Sequence, residues 1–89
     1  PQDIVLKQNF PNPFNPKTII SYQISKYRKI NLRVYNARGE EISTLIDNNQ
    51  NSGSYEIEFD GSQYSSGIYF YTLEADGEFV ESKRMILIK

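Results

Sequence analysis

The run Asn9-Phe10-Pro11-Asn12-Pro13-Phe14-Asn15-Pro16 limits the fold more than any other stretch of this chain. Prolines at 11, 13 and 16 cannot sit inside a helix or a central strand, because each fixes φ and removes a backbone donor. Asn12 and Asn15 each precede a proline and are pushed toward extended or polyproline geometry. Asparagine side chains also hydrogen-bond nearby backbone in turns. Phe10 and Phe14 make the run too apolar for an ordinary linker. It reads as a rigid loop pinned to a core by both rings. The plainer alternative is a proline-rich linker, and the dense strand pattern on both sides argues against it.

Taken in order, Asp3 to Gln8 alternates weakly, with Ile4 and Leu6 on one face, and suits a short first strand. After the proline loop, Lys17 to Ser25 places Thr18, Ile20, Tyr22 and Ile24 on one face, the period of a half-buried strand. Lys26-Tyr27-Arg28-Lys29 reads as a polar turn. Ile30, Leu32 and Val34 then alternate with Asn31, Arg33 and Tyr35, and Asn36-Ala37-Arg38-Gly39 closes that strand with Gly39 free to take φ > 0. In Glu40 to Ile46, Ile42, Thr44 and Ile46 share a face while Leu45 breaks the alternation and marks a bulge. Asp47 to Gly53 is uniformly polar and is expected to be an exposed loop. Tyr55, Ile57 and Phe59 alternate with Glu56 and Glu58. Asp60-Gly61-Ser62 turns the chain, and Tyr64 lies in a polar connection. Gly67 to Ala75 is apolar or aromatic on both faces and belongs at a sheet centre. Asp76-Gly77 is a hairpin signal, and Phe79 to Lys89 forms the last strand. No stretch carries capped helical periodicity. About seven short strands with frequent turn signals predict an all-β, immunoglobulin-like antiparallel sandwich.

The chain has 89 residues, expected to form one domain over 1–89 that buries about 60–65% of its unfolded surface. The net charge of −1 and scattered basic residues give no reason to expect nucleic acid or an anionic membrane as partner. No apolar run approaches the roughly 20 residues of a membrane-spanning helix, and no signal-peptide pattern is present. The chain starts Pro1-Gln2 without methionine, so it is expected to be a piece of a longer protein. The absence of cysteine excludes disulfides and thiol chemistry.

Catalysis is hard to build from these residues. With no His and no Cys, the usual proton shuttle and the easiest nucleophile are missing. A carboxylate pair remains conceivable, but Glu56 and Glu58 fall on the polar face of a strand and Glu40-Glu41 beside a turn. Asp60-Gly61-Ser62 and Asp76-Gly77-Glu78 lack the spaced oxygen series of a calcium loop and read as turns. The expectation is no catalytic residue, no metal and no cofactor. A carbohydrate-binding face would need a flat aromatic platform. There is no Trp, and only Tyr27, Tyr35 and Tyr64 are free of strand patterns or loosely tied to them.

The last strand carries little breaker signal. At a sheet edge it would expose unpaired N–H and C=O groups, open to another chain by β-augmentation. Lys83, Arg84 and Lys89 would then serve as gatekeepers against aggregation or as receptor contacts.

An ordered series of segments carries a family likeness: Leu6 to Thr18, Ile20-Ser21-Tyr22, Leu32 to Gly39, Gly53-Ser54-Tyr55, Asp60-Gly61-Ser62, Ser65 to Tyr71, and Lys83 to Lys89. Together they resemble the type A C-terminal sorting domain of proteins exported by the type IX (Por) secretion system of Bacteroidetes and relatives. A related sandwich occurs in the flagellar hook-cap protein. The resemblance implies a non-catalytic β-sandwich appended to an N-terminal cargo domain. It would be recognised in the periplasm by outer-membrane secretion machinery, commonly removed by a sortase-like peptidase, and would bring cargo to the extracellular space or outer-membrane surface. In this family the terminal strand, here Lys83, Arg84, Met85, Ile86, Leu87, Ile88 and Lys89, is the part most associated with recognition. Asn9 to Pro16, with Gly67 and Tyr69, is assigned to the fold. Two departures stand out: Tyr64 where an aliphatic residue is usual, and Tyr27-Arg28-Lys29 in place of a small or proline-rich turn.

The expected mechanism is backbone pairing of a receptor with the bare Lys83–Lys89 edge, which also makes a homodimer by strand pairing or exchange plausible. Deleting Lys83 to Lys89 is expected to block export while leaving the cargo soluble. The alternatives are a retained structural module, which should protect its terminal strand, and a carbohydrate-binding accessory domain, which should expose coplanar aromatics.

Overall fold

The computed structural model describes residues 3–89. Seven strands make up the fold: β1 (Ile4–Leu6), β2 (Lys17–Ile24), β3 (Arg28–Asn36), β4 (Glu41–Gln50), β5 (Gly53–Asp60), β6 (Gly67–Ala75) and β7 (Glu78–Leu87). No helix occurs among the described residues. The strands form two antiparallel sheets, one ordered β1-β2-β5 and the other β4-β3-β6-β7. Their inner faces share one core, as the sequence alternation requires. Thr18, Ile20, Tyr22 and Ile24 of β2 are all buried, and so are Ile30, Leu32 and Val34 of β3. From β6, Tyr69, Tyr71, Leu73 and Ala75 point inward. β6 lies between β3 and β7, with its outward side chains only partly covered: Phe70 and Thr72 are half-buried and Ile68 is exposed.

Turn chemistry sets the register. Asp76 and Gly77 join β6 to β7 with φ of 54° and 82°, both in the left-handed region that a two-residue hairpin demands. At the exit of β5, the Gly61 N–H donates to the Pro16 carbonyl at 2.7 Å. A Cβ there would lie 3.0 Å from Leu87 Cδ2, so any side chain would push on the C-terminal strand. Tyr55 and Tyr69 each donate their hydroxyl to a carbonyl four residues upstream, Asn51 and Ser65, tying a strand to the loop that enters it.

Four local expectations are corrected. Asp47 to Gln50 is not a loop: these residues continue β4 and pair with Asn31 to Arg28. An edge strand needs only its backbone paired, so polar side chains are tolerated on it; Lys29 meets Asp47 at 3.1 Å and the Tyr22 hydroxyl donates to Gln50 at 2.5 Å. Secondly, β3 starts at Arg28, inside the expected turn, because its guanidinium joins Asp3 at 2.6 Å and Asp76 at 2.9 Å. Thirdly, Thr44 is exposed and does not share a face with Ile42 and Ile46. The register passes from Leu32↔Ile46 to Arg33↔Thr44 and from Val34↔Ser43 to Tyr35↔Glu41. Leu45 is therefore the expected extra residue, and Ile42 is a second one, which resets the alternation. Lastly, β7 runs from Glu78 to Leu87, with Ile88 and Lys89 beyond it.

Strand directions separate the two ends of the chain. Asp3 lies with Arg28 and Asp76 at one end of the sandwich, whose longest dimension is 37 Å. Lys89 lies at the other, bonded to Ser62 and Ser66.

Candidate functional site

The proline loop and the C-terminal strand form one structure. At the loop's base Asn9 is buried, and its Nδ2 donates to Thr18 Oγ1 at 2.9 Å and to the Pro11 carbonyl at 3.2 Å. The Thr18 hydroxyl donates to that same carbonyl at 2.8 Å. From the facing sheet, the buried Tyr71 hydroxyl accepts the Asn9 N–H and donates to the Lys7 carbonyl, each at 2.7 Å. Phe10 and Ile19 exchange both backbone bonds at 3.0 Å. Every buried polar group at the base is thus satisfied within the fold.

Only one of the two rings is a pin. Phe14 is 1% exposed and meets Phe59 edge-on at 6.0 Å, whereas Phe10 is 78% exposed. The expectation that both rings anchor the loop is corrected: the Phe10–Ile19 bridge fixes the Phe10 backbone while its ring projects outward. Pro11, Asn12, Pro13 and Asn15 are also exposed, and Pro16 is half-buried. The peptide bonds before Pro11, Pro13 and Pro16 are cis.

The loop then runs along the outer edge of β7. The Phe14 N–H donates to the Ile86 carbonyl, and the Ile88 N–H donates to the Phe14 carbonyl, both at 2.9 Å. Asn12 Oδ1 accepts the Ile86 N–H at 3.0 Å, and the Gln8 side-chain amide donates to the Arg84 carbonyl at 2.7 Å. These bonds contradict the expectation of a bare edge. The outward groups from the Arg84 carbonyl to the Ile88 N–H are already taken, so a receptor cannot add a strand there without displacing the loop.

Side chains of the last strand divide by face. Met85 and Leu87 are core residues at 0% and 1% exposure, Ile86 is half-buried, and Ile88 is 50% exposed. Lys83 is half-buried and pairs with Glu81 at 2.9 Å. Arg84 is exposed, and among the described residues no carboxylate lies within 4 Å of it. Lys89 donates from Nζ to the Ser62 carbonyl at 2.5 Å. Nearby, hydrogen bonds from the Ser62 hydroxyl and N–H hold the Asp60 carboxyl below its usual range. The structural residues Gly67 and Tyr69 stand beside this end. Gly67 opens β6 with φ of 157°, and Tyr69 is buried.

Burial pushes the Tyr71 hydroxyl up to about 12, and that of Tyr22 likewise, from an ordinary value of 10.0. The unfolded chain releases these protons near 10 and the folded chain keeps them. Their contribution is therefore complete below pH 10 and is lost as pH rises through about 12. Urea midpoints measured between about pH 8 and about pH 11.5 are expected to fall once the ordinary tyrosine range is passed. Tyr71→Phe should flatten that fall, and an unchanged slope would contradict the assignment.

Other chemistries find little support in the geometry. Glu40, Glu41, Glu56 and Glu58 are exposed. No group of three or more Asp or Glu among the described residues is placed to hold a metal ion. The stacked pairs Tyr22–Tyr55 and Phe59–Tyr64 each contain a buried ring, so neither is a flat exposed platform. A cleft of about 470 Å³ between Asn36–Arg38 and Tyr64–Tyr69 has Arg38 as its one charged lining residue. Thr18, Tyr71 and Gln8 were missed as loop-holding residues. For Thr18 a signal existed: its place on the apolar face of β2 demanded a buried partner for its hydroxyl.

These features define a class, a seven-stranded sandwich whose C-terminal strand is strapped by its own proline loop. The family profile described as "Secretion system C-terminal sorting domain" matches residues 8–89, and the chain belongs to that family. It is a sorting-signal domain of the type IX secretion system. No curated protein sequence matches the chain. Among solved structures it is similar to dimeric latent PorU from Porphyromonas gingivalis, with a TM-score of 0.72 and 19% identity over 97% of this chain. An uncharacterized protein from Bacillus anthracis gives a TM-score of 0.63 at 10% identity, covering 83% of this chain and 72% of that one. The alkylpurine DNA glycosylase AlkC from Pseudomonas fluorescens gives 0.55 at 13% identity, covering 98% of this chain and 31% of its own. At these identities the likeness is one of fold. The chain spans 9% of the length of PorU.

Proposed function

We propose that residues 1–89 act as one non-enzymatic sorting unit on an N-terminal cargo, read in its folded form by outer-membrane secretion machinery through the side chains of Lys83 to Lys89. The observation that carries this reading is the division of the last strand. Met85 and Leu87 hold it in the core, while Arg84, Ile88 and Lys89 are exposed beside an edge whose backbone is already bonded. Recognition by side chains needs no unfolding, whereas β-augmentation would first have to break the strap. The cargo would cross the periplasm before reaching the outside or the outer-membrane surface. Removal by a sortase-like peptidase would act on chain preceding Asp3, at the end of the sandwich remote from Lys89.

The test substitutes surface only. Arg84→Glu, Ile88→Ser and Lys89→Gln together should leave the denaturation midpoint nearly unchanged, since exposed positions usually contribute within about 0.5 kcal/mol and Gln at 89 removes the exposed bond to Ser62 without placing a second carboxylate near Asp60. Export of a fused cargo should fall at least about tenfold, the ratio given by a loss of about 1.4 kcal/mol in receptor affinity. Undiminished export of a well-folded triple variant would refute the reading.

A second reading is a module retained on the exported protein, and the protected terminal strand favours it. The two readings differ in the fate of the domain: a retained module stays covalently attached outside the cell, and a processed one is lost on release.

A further inference from the structure

Each sheet has two edge strands, and three of the four are blunted. β7 is covered by the proline loop from Arg84 to Ile88, and its pairing with β6 shifts register at Leu73/Glu74. β4 carries two bulges, and β1 has only 3 residues. Cover, bulges and short length are ordinary ways of closing an edge to other chains. β5 has none of them: its 8 residues pair with Lys17 to Ile24 without interruption.

The bonding pattern identifies which groups of β5 face outward. Ile19 exchanges bonds with Phe10, and the Ser21 carbonyl accepts the Lys7 N–H, so the odd-numbered residues of β2 bond toward the β1 side. The even-numbered ones therefore bond β5, through Ile24↔Gly53, Tyr22↔Tyr55, Ile20↔Ile57 and Thr18↔Phe59. On β5 this leaves the N–H and C=O of Ser54, Glu56 and Glu58 directed away from the sheet, and among the described residues no hydrogen bond takes them.

Side chains along this edge specify what can dock. Glu56 and Glu58 are exposed on the outer face, where their neighbours across the ladder are the uncharged Ser21 and Ile19. No ion pair engages either glutamate among the described residues. On the inner face Tyr55 and Ile57 are only half-buried, beside buried Phe59. A second copy is a poor occupant. The fullest antiparallel overlap of two such edges sets Glu56 opposite Glu58, and like charges directly opposite are destabilising.

We infer that the open edge of β5 is a β-augmentation site for an extended segment of another protein in which basic and apolar residues alternate. The backbone of that segment completes the bonds of Ser54, Glu56 and Glu58. Its Lys or Arg side chains lie opposite the two glutamates on the outer face, and its apolar ones cover Tyr55 and Ile57 on the inner face. β5 and β7 belong to different sheets, so this site is separate from Lys83–Lys89 and does not depend on how that strand is read.

The probe is a capped peptide of alternating lysine and valine, matched to β5 in length and titrated into residues 1–89 at low salt. Amide hydrogen exchange at Ser54, Glu56 and Glu58 should slow on binding, while Tyr55 and Ile57, already bonded to β2, should change least. Glu56→Gln with Glu58→Gln should weaken binding about 2- to 30-fold, the loss of two cross-strand pairs of opposite charge. A glutamate–valine peptide should bind only the reversed variant, Glu56→Lys with Glu58→Lys. Absence of binding by the lysine peptide, protection along another strand, or undiminished affinity of the double Gln variant would overturn the inference, and the glutamates would then serve only to keep the edge from pairing with itself. If a variant is unstable, the parent decides: its affinity should fall as salt rises, and indifference to salt overturns the basic occupant. Slowing of the same amides with rising protein concentration and no peptide would make a second copy the occupant and overturn the choice made here.

Discussion

Phe14→Ala is expected to destabilise the domain by about 3–5 kcal/mol, the range for truncating a fully buried Phe. The ring is 1% exposed and packs edge-on against Phe59, itself buried beside Tyr64. Emptying that site leaves a cavity under the loop, and neighbouring strands cannot collapse into it without shifting the backbone bonds between residue 14 and Ile86 and Ile88. Phe10→Ala, by contrast, should stay within about 0.5 kcal/mol of the parent. Urea unfolding of the two variants side by side checks both. A Phe14→Ala midpoint within error of the parent would show the loop to be peripheral to the fold.

Truncation at Ser82 is expected to unfold the domain. The deletion removes Met85 and Leu87, each fully buried, and aliphatic truncations of that kind cost about 2–5 kcal/mol apiece. It also strips Gly67 to Tyr71 of their ladder partners and leaves the proline loop without the strand it covers. A natural domain has only about 5–15 kcal/mol in total. This replaces the simpler expectation of a soluble cargo that merely lacks its address: failed export of the truncation would report unfolding, not lost recognition. Circular dichroism and amide exchange on the truncated chain make the check. A cooperative, strand-rich unfolding transition would contradict the packing described here.

How far the sequence carries the fold depends on what each strand faces. β2 and β5 were legible because a core on one side and solvent on the other imprint a period of two on the residues, and β6 was legible from an apolar run that only a central strand carries. Asp47 to Gln50 carried no such imprint, since an edge strand can be wholly polar once its backbone is paired. The second bulge, at Ile42, was hidden because an apolar residue outside the ladder looks like one inside it. At the site, composition could say that Asn9 to Pro16 was a braced loop but not that Phe14 enters the core while Phe10 stays outside. That distinction depends on where the loop lands, and it lands on β7, more than 70 residues away in the chain. The same long-range contact turned the supposed open edge into a covered one. The family likeness was carried by ordered short segments and needed no tertiary information.

We propose that this folded domain is an address for the type IX pathway, read without unfolding from the exposed side of its last strand. The most direct measurement fuses residues 1–89 behind a signal-peptide-bearing fluorescent protein and compares hosts with and without a working translocon. The surface triple variant at 84, 88 and 89 is run in parallel. Fluorescence outside the cell only in the competent host, abolished by a triple variant that still unfolds at the parent's midpoint, is the predicted result. Export of the triple variant at the parent's level, or retention of the parent fusion in the competent host, would contradict it.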